Sequence, residues 1–373
     1  MEPQGHRIKH DIRAVMSAFD VQGVYLQGLP CGSGHINDTY AVTLDQSGSQ
    51  VRYVLQRINH HVFKEPVAVM ENIQRVTAHV RQKLQACGAS EIARRTLTLM
   101  PARLGKCWHV DGAGNHWRCY LFIEQAQTYD QIETPRQAKA AAEAFGEFQK
   151  QLADLPAPRL HDTIPGFHDT RGRFETLRRA IEADSCNRAA GVKPEIDFAL
   201  SREAMVDVLP RAQAVGELPE RVTHNDTKLN NVMLDNQTGE GICVIDLDTV
   251  MPGLALYDFG DMCRSACRPT AEDERDLAKV AMRLEIFEAL VAGYLNSAGG
   301  FLVAAEKRLL AFSAGLITFE IGIRFLTDYL QGDQYFKIHR AGQNLDRARV
   351  QFKMVDSFEQ NESAMRRIVA VRC

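Results

Sequence analysis

Apolar and polar positions change rhythm along this chain. Over the first third the apolar residues come in short runs. Residues 23–29, 39–44 and 51–58 are rich in β-branched and aromatic side chains and are parted by glycine, serine and aspartate, the pattern of strands joined by turns. Val69, Ile73, Val76 and Val80 then recur at spacings of three and four, which predicts a helix from about Glu65. Two further strands are expected over 96–100 and 118–124. Residues 125–135 are polar and poor in strand formers, the best place for a link between two units. Beyond them the period is helical. Thr134 can cap a helix, Pro135 suits its first turn and Gln137 completes a capping box. Ala138, Ala141, Phe145, Phe148, Leu152 and Leu155 follow as one apolar stripe. Similar patterns recur over 273–296, 304–330 and 344–360. The fold class predicted is α+β: a small N-terminal unit with an antiparallel sheet and one helix, residues 1–124, then a larger, mainly helical unit, residues 125–373.

Charge and composition narrow the function without naming it. The 373 residues hold 44 basic and 47 acidic side chains, a net charge of −3, so no global field draws nucleic acid or an anionic membrane. The longest apolar stretch, 309–319, is about half the length that spans a bilayer. Residues 1–10 are polar and lack the apolar core of a secretory signal, so a cytoplasmic chain is expected. Nine cysteines cannot all pair and form no metal-binding cluster with histidine; buried thiols are the expected reading.

The chemistry concentrates in residues 223–235. There His224, Asp226 and Asn231 fit the spacing His-x-Asp-x-x-x-x-Asn, and twenty residues past Asp226 an apolar strand over 242–245 runs into Asp246. Phosphoryl transfer calls for this combination. One aspartate must accept or orient the proton of an attacking hydroxyl, while an amide oxygen and a second carboxylate hold Mg²⁺ against nucleotide phosphates. The sequence Asp258-Phe259-Gly260 repeats the metal-binding tripeptide of protein kinases, yet it lies 32 residues past Asp226 and follows no strand; Asp258 and Asp261 are expected to order the loop or cap the next helix.

This loop resembles the catalytic loop of eukaryotic-like kinases and, more closely, that of the aminoglycoside phosphotransferase and choline kinase superfamily. The resemblance implies a kinase-like, two-lobed fold that takes ATP and Mg²⁺. It implies Asp226 as the catalytic carboxylate, Lys228 beside the transferred phosphate, and Asn231 and Asp246 as metal ligands. On the nucleotide side, Gly32, Gly34, Asn37 and Thr39 occupy a turn between two predicted strands, where backbone N–H groups can face phosphates. Arg57 and Glu71 are candidates for the ion pair that orients a phosphate-binding cation, with Gln56 the alternative inward residue of that strand.

The helix over 304–330 is apolar apart from Glu320, Arg324 and Asp328, each four residues from the next. Exposed, they would be a surface ladder. Facing the cleft, Glu320 and Asp328 would brace Arg324 toward a polar acceptor, and the apolar flanks favour the cleft. Segments 34–40, 224–231, 245–253, 257–261 and 323–336 together resemble the bacterial N-acetylhexosamine 1-kinases, in matching order over residues 20 to 360. That resemblance implies phosphorylation of the anomeric hydroxyl of N-acetylglucosamine or N-acetylgalactosamine, with His35, Asp226, Arg324 and Tyr335 holding the sugar. Kinases of another hexose, an amino alcohol or an aminoglycoside are the alternatives, and a catalytically inactive nucleotide-binding module is a further one.

Overall fold

The computed structural model describes residues 10–32, 36–103 and 105–372. A short helix α1 (Ile12–Met16) leads into an antiparallel meander of β1 (Val24–Pro30), β2 (Asp38–Gln46) and β3 (Ser49–Ile58). Helix α2 (Pro66–Ala86) begins at a proline, which lacks only an N–H the first turn would leave unpaired anyway. A one-turn helix α3 (Ile92–Arg95) precedes β4 (His109–Val110) and β5 (His116–Leu121). Among the described residues these strands form a five-stranded sheet in the order β1-β2-β3-β5-β4. Alternation sets its two faces. Tyr40, Val42, Leu44, Tyr53 and Leu55 pack with Ile12, Met16 and Phe19 of the N-terminal segment, while Ile58 joins Val69, Ile73 and Val76 of α2 in a core that runs on into the helical region.

Residues 96–100 do not form the predicted strand. Leu99 makes a single bridge to Tyr120, and Pro101 then interrupts the ladder because it has no N–H to give. The link over 125–135 is itself stitched to the larger region, since β6 (Ala126–Gln127) pairs with the later strand over Val232–Asp235. Helix α4 (Pro135–Leu152) carries the predicted capping box: Thr134 Oγ1 accepts the Gln137 N–H at 3.3 Å and Gln137 Oε1 accepts the Thr134 N–H at 3.1 Å.

Helices α5 (Thr170–Ala183), α6 (Lys193–Leu200) and α7 (Val208–Ala214) follow, then β7 (Arg221–Thr223), β8 (Val232–Asp235), β9 (Gly241–Val244) and β10 (Met251–Gly253). β6, β8 and β9 form one small sheet, β7 and β10 another. Helices α8 (Ala255–Ala266), α9 (Leu284–Ala298), α10 (Ala304–Leu330) and α11 (Gln343–Arg372) complete the fold. The pattern over 273–296 is helical only from Leu284, because residues 268–283 are irregular apart from one turn over Leu277–Lys279. By length and composition α10 could cross a membrane, yet most of it is buried within the protein, so core packing accounts for its apolar sequence.

Candidate active site

The loop between β7 and β8 is held from three sides. His224 is fully buried against Phe145 and Phe148, with ring centroids 5.5 and 6.1 Å away. Its Nε2 donates to the Ile245 carbonyl at 2.9 Å and its Nδ1 accepts the Asp226 N–H at 3.3 Å, so one imidazole joins the loop to the end of β9. Asp258, in the first turn of α8, accepts the N–H groups of His224 at 2.9 Å and Asn225 at 2.7 Å, and Gln149 donates to it at 2.5 Å. Thr227 Oγ1 donates to the Asp258 carbonyl and Thr249 Oγ1 to that of His224. Asn225 takes a left-handed backbone conformation (φ +65°), strain that persists only because these contacts over-determine it. The Asp258-Phe-Gly tripeptide is thereby explained without a metal. The aspartate pins the loop, the phenylalanine enters the core, and Gly260 lets α8 approach α10, since a Cβ there would lie 2.4 Å from the Ser313 carbonyl oxygen.

Asp226, Lys228, Asn231 and Asp246 converge from this scaffold. Lys228 Nζ lies 3.1 Å from Asp226 Oδ2, and Asn231 donates from Nδ2 to the Asp226 carbonyl at 2.7 Å and to Oδ2 at 3.2 Å, which leaves its Oδ1 to offer a cation. Asp246 has a left-handed backbone (φ +57°) that turns the chain sharply at the end of β9. Both carboxylates sit in a crevice: protein surrounds them at depth while part of their surface stays open to solvent. Burial opposes ionisation of Asp226, but the Lys228 ammonium with help from His224 outweighs it and holds the carboxyl below its ordinary range. Asp246 goes the other way. Burial, then repulsion from Asp248 and Asp226, pushes it up to about 6. No group of three His, Cys, Asp or Glu among the described residues could hold a metal alone. One amide oxygen and one accessible carboxylate do suit Mg²⁺, which keeps water and takes its remaining ligands from phosphate.

The nucleotide side needs correction. Arg57 and Glu71 do not pair: Arg57 bonds Asp38 at 2.6 Å, and Glu71 bonds His161 at 2.7 Å near the surface. Strand register is the reason. Thr39, Gln56 and Arg118 are cross-strand partners on one face, whereas Arg57 points to the other beside Asp38. On the inward face Gln56 donates to Thr39 Oγ1 at 3.0 Å and accepts from Arg118 Nε at 3.0 Å. The buried cation is therefore Arg118 on β5, paired with Asp248, two residues past Asp246. Asn37 joins the same carboxylate at 2.7 Å and accepts the Asn59 N–H at 3.0 Å. Gly32 has the positive φ (+84°) of a glycine turn, closed by Cys31 N–H to the Thr39 carbonyl. Gly34 and His35 lie outside the described residues.

Where the acceptor was expected, α10 turns all three charged residues inward, but Glu320 and Asp328 do not grip Arg324. Glu320 bonds His168 and Thr170, and Asp328 accepts the N–H groups of Gln334, Tyr335 and Phe336 and the Asn344 amide. Arg324 lies 5.9, 5.8 and 5.5 Å from the ring centroids of Phe167, Tyr335 and Phe336. It lines a recess of about 120 Å³ with Arg173, Thr176 and the largely exposed Tyr335. Sequence reasoning missed Arg118, Asp248 and His168. Asp248 stood in the quoted motif, and an arginine and an aspartate in otherwise apolar strand ends were the available signal. His168 had none, because it belongs to no pattern.

A family model described as the phosphotransferase enzyme family matches residues 27–295, from β1 into α9. Solved structures resemble the whole chain. An aminoglycoside phosphotransferase from Alicyclobacillus acidocaldarius aligns with a TM-score of 0.65 at 13% identity, covering 98% of this chain and 99% of its own. A spectinomycin phosphotransferase in complex with ADP and spectinomycin gives 0.54 at 14%, with 94% and 97% covered. A microcompartment-associated aminopropanol kinase gives 0.53 at 16%, with 95% and 97% covered. At these identities the likeness is one of fold.

Proposed function

The chain belongs to the phosphotransferase enzyme family, and from that premise we propose that it transfers the γ-phosphoryl group of ATP, with Mg²⁺, to the anomeric hydroxyl of an N-acetylhexosamine such as N-acetylglucosamine or N-acetylgalactosamine. The observation that carries the reading is the Asp226 carboxylate, kept ionised beside Lys228 and within reach of Asn231, at the mouth of a crevice shared with Asp246. An anomeric hydroxyl is more acidic than an ordinary alcohol, so a carboxylate of low basicity suffices to take its proton. Lys228 stands where a phosphoryl oxygen gathers charge during transfer. Asn231 and Asp246 would hold the magnesium ion, which when bound supplies positive charge to the β- and γ-phosphate oxygens. Asn37, Gln56 and Arg118 shape the phosphate side.

The acceptor face supports a neutral sugar over a cationic acceptor. The rings of Phe167, Tyr335 and Phe336 already surround the Arg324 guanidinium, so a quaternary or primary ammonium would meet like charge there. Glu320 and Asp328 are fully engaged by protein donors and give no free carboxylates for an aminoglycoside. Phosphate transfer from ATP should be measured over a panel of free hexoses, N-acetylhexosamines, amino alcohols and aminoglycosides, and the product placed by NMR. An N-acetylhexosamine 1-phosphate is the expected product; preferred transfer to an amino alcohol or aminoglycoside would overturn the specificity. Asp226→Asn should lower kcat by about 10²–10⁴-fold, the scale of a lost general base, with ATP binding retained. A variant keeping most of its turnover would remove Asp226 from its role.

A further inference from the structure

We propose that His168 is a positioning residue for phosphoryl transfer: its Nε2–H, oriented by Glu320, holds the Asn225 peptide and thereby aims the neighbouring Asp226 carboxylate. The proposal rests on the reading of Asp226 as the catalytic carboxylate.

His168 lies in the segment between α4 and α5, its side chain 5% exposed. Its Nδ1 is 2.9 Å from Glu320 Oε1 and its Nε2 is 3.0 Å from the Asn225 carbonyl oxygen. A carbonyl can only accept, so Nε2 must carry a proton for that contact to be a hydrogen bond. An ionised Glu320 demands a proton on Nδ1 as well. Thr170 Oγ1 occupies the other Glu320 oxygen at 2.5 Å, which fixes the carboxylate in turn. The ring is braced by Tyr257 and Phe167, each with its centroid 4.9 Å away.

The consequence lies in what this chain of bonds connects. Glu320 stands one helical turn before Arg324 on α10, and Asn225 immediately precedes Asp226 in a backbone conformation that is strained. Acceptor-side helix and catalytic carboxylate are thus linked through one imidazole and one peptide group. A displacement of about 1 Å at the reacting carboxylate can cost about 10²-fold in rate.

Protonation gives the link a signature. Facing the ring are Glu320 of α10 and Tyr257 and Asp261 of α8; one step further out, Arg324 acts on Glu320 and Asp169 on Tyr257. Burial opposes charge on His168, but Glu320, then Asp261 and the Asn225 carbonyl, outweigh it and raise its pKa above the ordinary value. Glu320 is correspondingly lowered despite burial, by His168, Thr170 and Arg324. Both bonds are therefore intact while pH stays below that raised value. As pH rises through the raised value, the carboxylate keeps the Nδ1 proton and Nε2 loses its own, so the Asn225 bond breaks.

The test compares kcat–pH profiles of wild type, His168→Ala, Glu320→Ala and Glu320→Gln, using Mg²⁺–ATP and the best acceptor from the panel above. His168→Ala and Glu320→Ala should lower kcat by about 10²-fold with the KM for ATP within twofold. Glu320→Gln should keep kcat within about threefold at neutral pH. Its amide donates to Nδ1 and leaves a neutral imidazole with its proton on Nε2, so the alkaline loss of kcat expected of the wild type should be absent from this variant. A purely structural role predicts lower thermal stability with unchanged profiles, and that result, or near-normal kcat in His168→Ala, would overturn the proposal. An active Asp226→Asn variant measured alongside would instead show that the underlying reading had failed.

Discussion

Asp258 illustrates how much one side chain decides at the scale of a residue. Its two oxygens satisfy two consecutive loop N–H groups and the Gln149 amide, all out of contact with water. Asp258→Ala leaves all three donors buried and unpaired, each worth about 1–3 kcal/mol. Urea unfolding should show a loss of several kcal/mol, and residual folded protein should have lost most of its kcat because Asn225 and Asp226 are no longer held. Loop residues of this kind were legible in the sequence where spacing announced them: Asp226 and Asn231 fall in one compact motif, Asp246 ends the apolar strand twenty residues on, and the loop-ordering part expected of Asp258 agrees with its contacts. Arg57 was misread because a single strand position says nothing about which face it presents; only pairing with β2 and β5 settles that.

Elements were legible where local chemistry sufficed. The cap at Thr134 and the stripe behind it announce α4 from sequence alone, since both are patterns of residues near one another in the chain, though the stripe runs on to Leu155 and the helix ends at Leu152. Residues 273–283 were harder: the helical pattern expected there is overridden by tertiary bonds such as Arg283 N–H to the Cys267 carbonyl and Met282 N–H to Ser357 Oγ. Helix crossings show the same dependence. Gly260→Ala should destabilise the protein by about 1–3 kcal/mol, the cost of overpacking a close contact, read as a lower midpoint in thermal unfolding. Because α8 also carries Asp258, kcat should fall with it, whereas ordinary exposed alanine substitutions on α9 should leave both unchanged.

Across the whole molecule the sheet and the helical region meet through buried polar bonds as well as a shared apolar core. Asp248, two residues past Asp246, reaches Arg118 and Asn37 on the sheet side, while Asn72 of α2 donates to the Val250 carbonyl at 3.0 Å. Asp248→Asn leaves the Arg118 guanidinium buried without its counter-charge, a change worth about 3–5 kcal/mol when a buried pair is broken. Steady-state kinetics should show the KM for ATP raised about tenfold, equivalent to about 1.4 kcal/mol, and the acceptor KM within twofold; an unchanged ATP KM would separate this pair from nucleotide binding. The sequence by itself determined the α+β order of elements, the capped helix and the spaced carboxylates, because those follow from periodicities and motifs that a few neighbouring residues complete. Which arginine became the buried cation, which histidine reached the loop that carries Asp226 and which partners Glu320 took were decided only by the tertiary structure. Those contacts join residues from 57 to 152 positions apart, and only strand register and helix packing bring such distant groups within bonding distance.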